Sequence, residues 1–157
     1  MAVDFFLKLD GIQGESADDK HKDWITLLSF SWGASQVTSV AGTGGSGAGR
    51  ADLSDFNVMK HMDKSSTPLF KALVSGSHIK TGNLEARKAG SLKPFLKIDF
   101  QELFVTSHQL SASSEIPSES VSFSYNDIKI EYSMQDEKGV LTTTGSVEYN
   151  LKAHKVT

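Results

Sequence analysis

The sequence predicts a mostly β fold, a barrel or sandwich of antiparallel strands with one short helix. Two observations carry this. Segment after segment alternates with a period of two, from Val3-Asp4-Phe5-Phe6-Leu7-Lys8-Leu9 near the start to Val147-Glu148-Tyr149-Asn150-Leu151 near the end. One stretch carries clear helix punctuation. Thr67-Pro68 offers a capping hydroxyl followed by proline at a first helical position, Leu69, Phe70, Leu73 and Val74 form an apolar stripe, and Gly76 supplies the stop.

Taken in order, Val3, Phe5, Leu7 and Leu9 share one face of a first strand. Asp10-Gly11 and Gln13-Gly14 turn the chain, and Ser16 to Lys22 reads as a polar, charged loop. Trp24 to Gln36 reads as one long strand. Trp24, Leu28, Phe30 and Trp32 face a core, while the other face turns small and polar at Ser29, Ser31 and Gly33. Val37 to Arg50 is a long glycine-rich loop that cannot pack a core of its own. Ala51 to Met62 stays open between two periods: Leu53, Phe56 and Met59 fit a helix, and Ala51/Leu53 with Phe56/Val58 fit an interrupted strand. After the helix, Leu84 and Ala86 alternate with Asn83, Glu85 and Arg87, and Lys88-Ala89-Gly90-Ser91 turns. Phe95 to Ser107 forms a long strand with Leu96, Ile98, Phe100 and Phe104 on one face, and Ser111 to Ser118 is a polar loop. Val121, Phe123 and Tyr125 lie in one phase and Ile128, Ile130, Tyr132 and Met134 in the other. That switch predicts a β-bulge near Asn126-Asp127.

With 157 residues the chain has the length of one domain and buries about 70% of the surface its unfolded form exposes. It is 38% hydrophobic and 22% charged, a globular composition. It has no cysteine, which excludes thiol nucleophiles, thiolate metal sites and disulfides. Met1 to Lys8 lacks the basic leader and apolar run of a signal peptide, and no run of 18 apolar residues occurs, so a leaderless export route is the expectation if the protein leaves the cell. The net charge of −3 is unevenly spread: −3 over residues 1–49, +5 over 50–97 and −5 over 98–157. The basic residues of the middle third are scattered without interleaved aromatics, which argues against nucleic acid. They read as solvated faces, or as one side of a contact with an acidic surface on another copy.

Catalytic patterns are weak. Gly42-x-Gly44-x-x-Gly47 has the spacing of a dinucleotide fingerprint, but that motif needs a helix opening behind it and βαβ repeats around it. Gly44-x-Ser46-x-Ala48 only loosely resembles a nucleophile elbow. His21, His61, His78, His108 and His154 make no HExxH pattern, and Asp18-Asp19 and Asp136-Glu137 read as solvated turns. No catalytic, cofactor-binding or metal-binding residue is assigned.

Several segments occur together in order: Met1-Ala2-Val3-Asp4, Asp10-Gly11-Ile12-x-Gly14-Glu15-Ser16, Phe30-Ser31-Trp32-Gly33, the glycine-rich loop, Lys60-x-x-Asp63-Lys64-x-Ser66-Thr67-Pro68-Leu69, Lys88-Ala89-Gly90 and Ile130-Glu131-Tyr132. In order and spacing the chain resembles the haemolysin-coregulated protein (Hcp) family of bacterial type VI secretion systems. The resemblance implies an α+β fold dominated by strands, a β-barrel of mainly antiparallel strands flanked by one short α-helix, as a single domain over residues 1–157. It implies a strand for Ala51 to Met62. It also implies a non-enzymatic structural subunit, made in the bacterial cytoplasm and secreted, that forms hexameric rings stacked into a tube. Its expected partners are further copies of itself, the spike protein VgrG, a contractile sheath and small effectors carried in the lumen.

Two surfaces are candidates within that scheme. Ser29 and Ser31 are expected to face the lumen and leave room for cargo. Gly42, Gly44, Gly45, Gly47, Gly49 and Arg50 are expected to make ring-to-ring contacts. A monomeric β-barrel binding a small ligand is the alternative, and an enzyme using the glycine loop is a second.

Overall fold

A computed structural model describes residues 2–39 and 47–157. The strands are β1 (Val3–Leu9), β2 (Ile25–Leu27), β3 (Ser29–Ser31), β4 (Ala34–Ser39), β5 (Gly47–Leu53), β6 (Phe56–His61), β7 (His78–Lys88), β8 (Leu96–Ser111), β9 (Ser118–Gln135), β10 (Leu141–Asn150) and β11 (Lys155–Val156). One helix, α1 (Ser66–Ser75), lies between β6 and β7. Every strand pairing among the described residues is antiparallel.

The pairings close on themselves. β1 joins β2 and β7, β7 joins β8, β8 joins β9, β9 joins β6, and β6 joins β3. Only Leu28 separates β3 from β2, and its N–H donates to Met59 O at 2.7 Å. This barrel is filled by its own side chains. Phe56, Phe100 and Phe123 are buried, and Phe56 meets Phe100 edge-on with centroids 4.8 Å apart.

Leu28 also explains why the long strand expected over Trp24 to Gln36 is three short ones. The chain moves there from pairing with β1 to pairing with β6, so the inward phase shifts by one residue. Ile25 and Leu27 point into the core and Leu28 is 49% exposed, the reverse of the sequence expectation. A second break at Trp32-Gly33 starts the two-stranded arm β4–β5, which is a separate sheet. The loop expected over Val37 to Arg50 is therefore partly this hairpin. Ala51 to Met62 is strand on both sides of a short break, as the family resemblance implies.

The phase switch at Asn126-Asp127 is present without the expected bulge. β7, β8 and β9 change inward phase in the same row, where Ile79, Leu103 and Tyr125 give way to Gly82, Phe100 and Ile128, and the register is kept. Glu102 takes a positive φ of 56° there, and Asn126 O accepts from Leu151 N–H at 2.8 Å, so this row bends as a corner of the barrel. The corner puts Leu103 and Val105 inside and leaves Phe104 at the surface.

The helix starts earlier than its expected cap. Ser65 is the N-cap and Thr67 lies within the first turn. Gly76 ends it at φ 64°, a left-handed position that suits glycine. Leu69 and Ala72 are buried and Leu73 packs against the core, whereas Phe70 and Val74, expected in the docked stripe, are exposed. At Gly14 a side chain has no space: an added Cβ would stand 2.4 Å from Trp24 O.

Candidate assembly surfaces

The predicted lumen residues lie on β3. Ser29 and Ser31 are exposed on either side of half-buried Phe30, which stacks on Phe56 at 5.4 Å. Of the predicted stacking residues, Gly42, Gly44 and Gly45 lie outside the described residues, while Gly47, Gly49 and Arg50 form the start of β5 in the arm. The arm is anchored at its base. Gly33 and Ser54 exchange hydrogen bonds of 2.9 Å, Tyr125 Oη donates to Ser54 O at 2.8 Å, and Trp32 Nε1 donates to Tyr125 Oη. Burial, moderated by the Trp32 bond, holds the Tyr125 phenol above its ordinary pKa. β5 begins at Gly47, where a dinucleotide site needs a helix N-terminus, so no helix follows the glycine fingerprint.

Two ionic clusters escape the sequence reading. In the first, Lys60 and Glu119 are both fully buried and joined at 2.6 Å across β6 and β9. Lys60 Nζ also reaches Asp63 Oδ1 at 2.9 Å and donates to Ser66 Oγ at 3.3 Å. Ser66 Oγ donates to one Glu119 oxygen, and His108 Nε2 meets the other. Burial pushes the Glu119 carboxyl up, but its bonds from Lys60, Ser66 and His108 outweigh this and hold it below its ordinary pKa. Serine, histidine and a carboxylate meet here without the order a nucleophile needs. The hydroxyl is spent on the carboxylate, not on the imidazole, and it is buried. The cluster ties the start of α1 to the barrel.

In the second cluster, Arg87 grips Asp18 with two bonds of 3.0 and 2.6 Å. His21 is buried, stacked on Phe6 at 4.2 Å, with Nδ1 3.0 Å from Asp18 and Nε2 2.8 Å from Glu85. The Arg87 guanidinium and then His21 hold the Asp18 carboxyl well below the usual carboxylate range, and Asp18 raises the Arg87 pKa in return. The 16–24 segment is thus pinned to β7. The expected solvated turn at Asp18-Asp19 holds for Asp19 but not for Asp18.

These pairings also sharpen the charge split. Lys60 and Arg87 are neutralised internally, so the basic charge that remains at the surface of the middle third includes Lys64, Lys71 and Lys80 around α1. Among the described residues, exposed apolar side chains group around α1 at Met62, Phe70, Val74 and Leu110, and on β9 and β10 at Tyr132, Met134 and Val147. Among the described residues no group of three or more His, Asp or Glu is placed to hold a metal ion, and no helix is long and apolar enough to cross a membrane.

Known proteins share this fold and much of this sequence. The family model described as "Type VI secretion system effector, Hcp" matches residues 6–132. Protein hcp1 of Pseudomonas aeruginosa is 35% identical over 153 residues, which cover 95% of this chain and 94% of that protein. The structure of a type six secretion system protein superposes with a TM-score of 0.93 at 35% identity, covering 99% of this chain and 100% of the other. The crystal structure of Hcp1 from Salmonella typhimurium gives a TM-score of 0.81 at 34% identity, with 99% and 100% covered. The chain belongs to the Hcp family, tube subunits of the bacterial type VI secretion system.

Proposed function

We propose that the chain acts, as one structural unit over residues 1–157, through a hexameric ring that stacks with others into the secreted inner tube. The observation that supports this best, beyond family membership, is the filled barrel. With Phe56, Phe100 and Phe123 occupying the barrel interior, the described residues enclose no channel, and a lumen would lie between copies. The same filling counts against a monomeric ligand-binding barrel. The tube would be sheathed, tipped by VgrG and exported, with small effectors riding inside. Catalysis has no part in this role. Ser29 and Ser31 would line the lumen. The arm with Gly42, Gly44, Gly45, Gly47, Gly49 and Arg50 would meet the next ring.

Native mass spectrometry and negative-stain imaging test the reading. Rings of six copies are expected, and a monomer at every concentration would end the proposal. Deleting residues 42–49 should leave the fold and abolish stacking, because among the described residues β4 and β5 pair only with each other. Tubes that persist remove the arm from the account. Ser31→Arg should leave rings intact and lower cargo retention; undiminished retention moves the lumen elsewhere.

A further inference from the structure

The two uncovered apolar surfaces differ in shape and in charge. Around α1, Met62, Phe70 and Leu110 wall a groove of about 350 Å³ whose floor is His108 and Glu119. Val74 lies one helical turn beyond Phe70, on the same side. The other surface is a continuation of the barrel's own interior face. On β9, Ile128 is buried, Ile130 is half-buried, and Tyr132 and Met134 are 49% and 53% exposed as the strand runs out past the barrel. Their neighbours Leu96 and Ile98 on β8 and Val147 on β10 share this face through the registers Leu96↔Tyr132, Ile98↔Ile130 and Val147↔Ile130. A core face that leaves the core uncovered is completed by something outside the chain.

The same chain offers a fitting cover. Residues 64–84, which carry α1, contain three lysines and no Asp or Glu, whereas residues 128–148 contain four acidic residues and two lysines. The groove is concave and the strand extension presents protruding Tyr132 and Met134. The two cannot meet within one copy by a local movement. The groove residue Leu110 and the extension's Leu96 stand 14 residues apart on β8, roughly 45 Å of strand. Neither surface is complementary to itself, so a contact between them is heterologous, the kind that propagates around a ring.

We infer that the groove formed by Met62, Phe70, His108 and Leu110 receives Tyr132 and Met134 of a second copy, with the lysines around α1 facing the acidic β9–β10 extension. This rests on the ring reading and assigns its two sides.

The cysteine-free chain makes the contact testable by cross-linking. Phe70→Cys and Tyr132→Cys are made separately and together, with circular dichroism to check the fold of each. When the single variants are mixed under mild oxidation, disulfide-linked dimers that join one variant to the other are expected, with only traces of dimer from either variant alone. The double variant should give a ladder of covalent oligomers. Tyr132→Arg should convert rings to folded monomers. Rings that form without the mixed cross-link, that cross-link through Phe70→Cys alone, or that survive Tyr132→Arg overturn the inference and leave the ring reading standing. Wild-type protein without rings removes both.

Discussion

The two halves of β9 have nearly the same pattern and opposite fates. From Ser118 to Tyr125, the inward residues Glu119, Val121, Phe123 and Tyr125 are all buried, with β6 and β8 on either side. From Asp127 to Gln135, Ile128, Ile130, Tyr132 and Met134 carry the same alternation, and burial fades along the strand until half of each side chain meets water. β10 flanks this half in place of β6. The difference lies in what covers the strand. Alternation therefore reports which side of a strand is apolar, and the cover decides whether that side stabilises the fold or an assembly.

The largest expected effect breaks the covered half at its charge. Lys60→Met leaves Glu119 buried without its ammonium partner and should cost about 3–5 kcal/mol of unfolding free energy at neutral pH, read from denaturant midpoints. Adding Glu119→Met to the same chain should recover most of that loss, because the fully buried charge is gone and Asp63, left without Lys60, still accepts from Ser65 N–H at 2.9 Å. The pH dependence has a definite sign. Glu119 sits below its ordinary value of 4.5 in the folded chain, so its contribution is present above that value and is lost as pH falls through the depressed folded value. The gap between wild type and Lys60→Met should close over that range. A gap that stays constant assigns the cost to lost packing of the lysine stem.

A matched pair of truncations sharpens the comparison at intermediate size. Val121→Ala removes two buried methyl groups in the covered half and should cost roughly 2–3 kcal/mol. Met134→Ala in the uncovered half should change unfolding of dilute protein by less than about 0.5 kcal/mol. Equal costs in dilute protein would mean that the extension is packed by its own chain.

The same distinction explains what is legible in the sequence. The β-rich class, the helix with its Gly76 stop and the phase switch at Asn126-Asp127 can be read because each is a local pattern. Leu28 misleads because the chain changes pairing partner at one residue, and two short strands of opposite phase read as one long one. Phe70 and Val74 read as core because an assembly face and a docked face share one composition. The buried cluster is hidden by distance: Lys60 and Glu119 are 59 positions apart, and a lone lysine reads as a solvated charge. The motif Lys60-x-x-Asp63, a family feature in the sequence, has a physical meaning in the 2.9 Å bond between its two ends. Asp18 reads as part of a solvated turn for the same reason, since Arg87 lies 69 residues away.

The smallest expected effect falls on the seam between the two halves. Asp127 is 6% exposed; burial, then the neighbouring Glu148 charge, push its carboxyl above the ordinary value of 3.8, against a weak bond from Asn150. A raised folded pKa means the fold holds this proton more tightly than the unfolded chain does. The associated stability is present below 3.8 and is lost as pH rises through the folded value, so at neutral pH ionised Asp127 is a burden on the fold. Asp127→Asn removes the charge, keeps a carbonyl oxygen and supplies an N–H that can donate to Glu148. A gain of at most about 1 kcal/mol at pH 7 is expected, vanishing below about pH 3.8 where Asp127 is protonated in both states. Thermal unfolding of both proteins across that range is the measurement. A loss at pH 7 would instead mark Asp127 as a charge the fold uses, holding the end of β10 against β9 where the covered half gives way to the uncovered one.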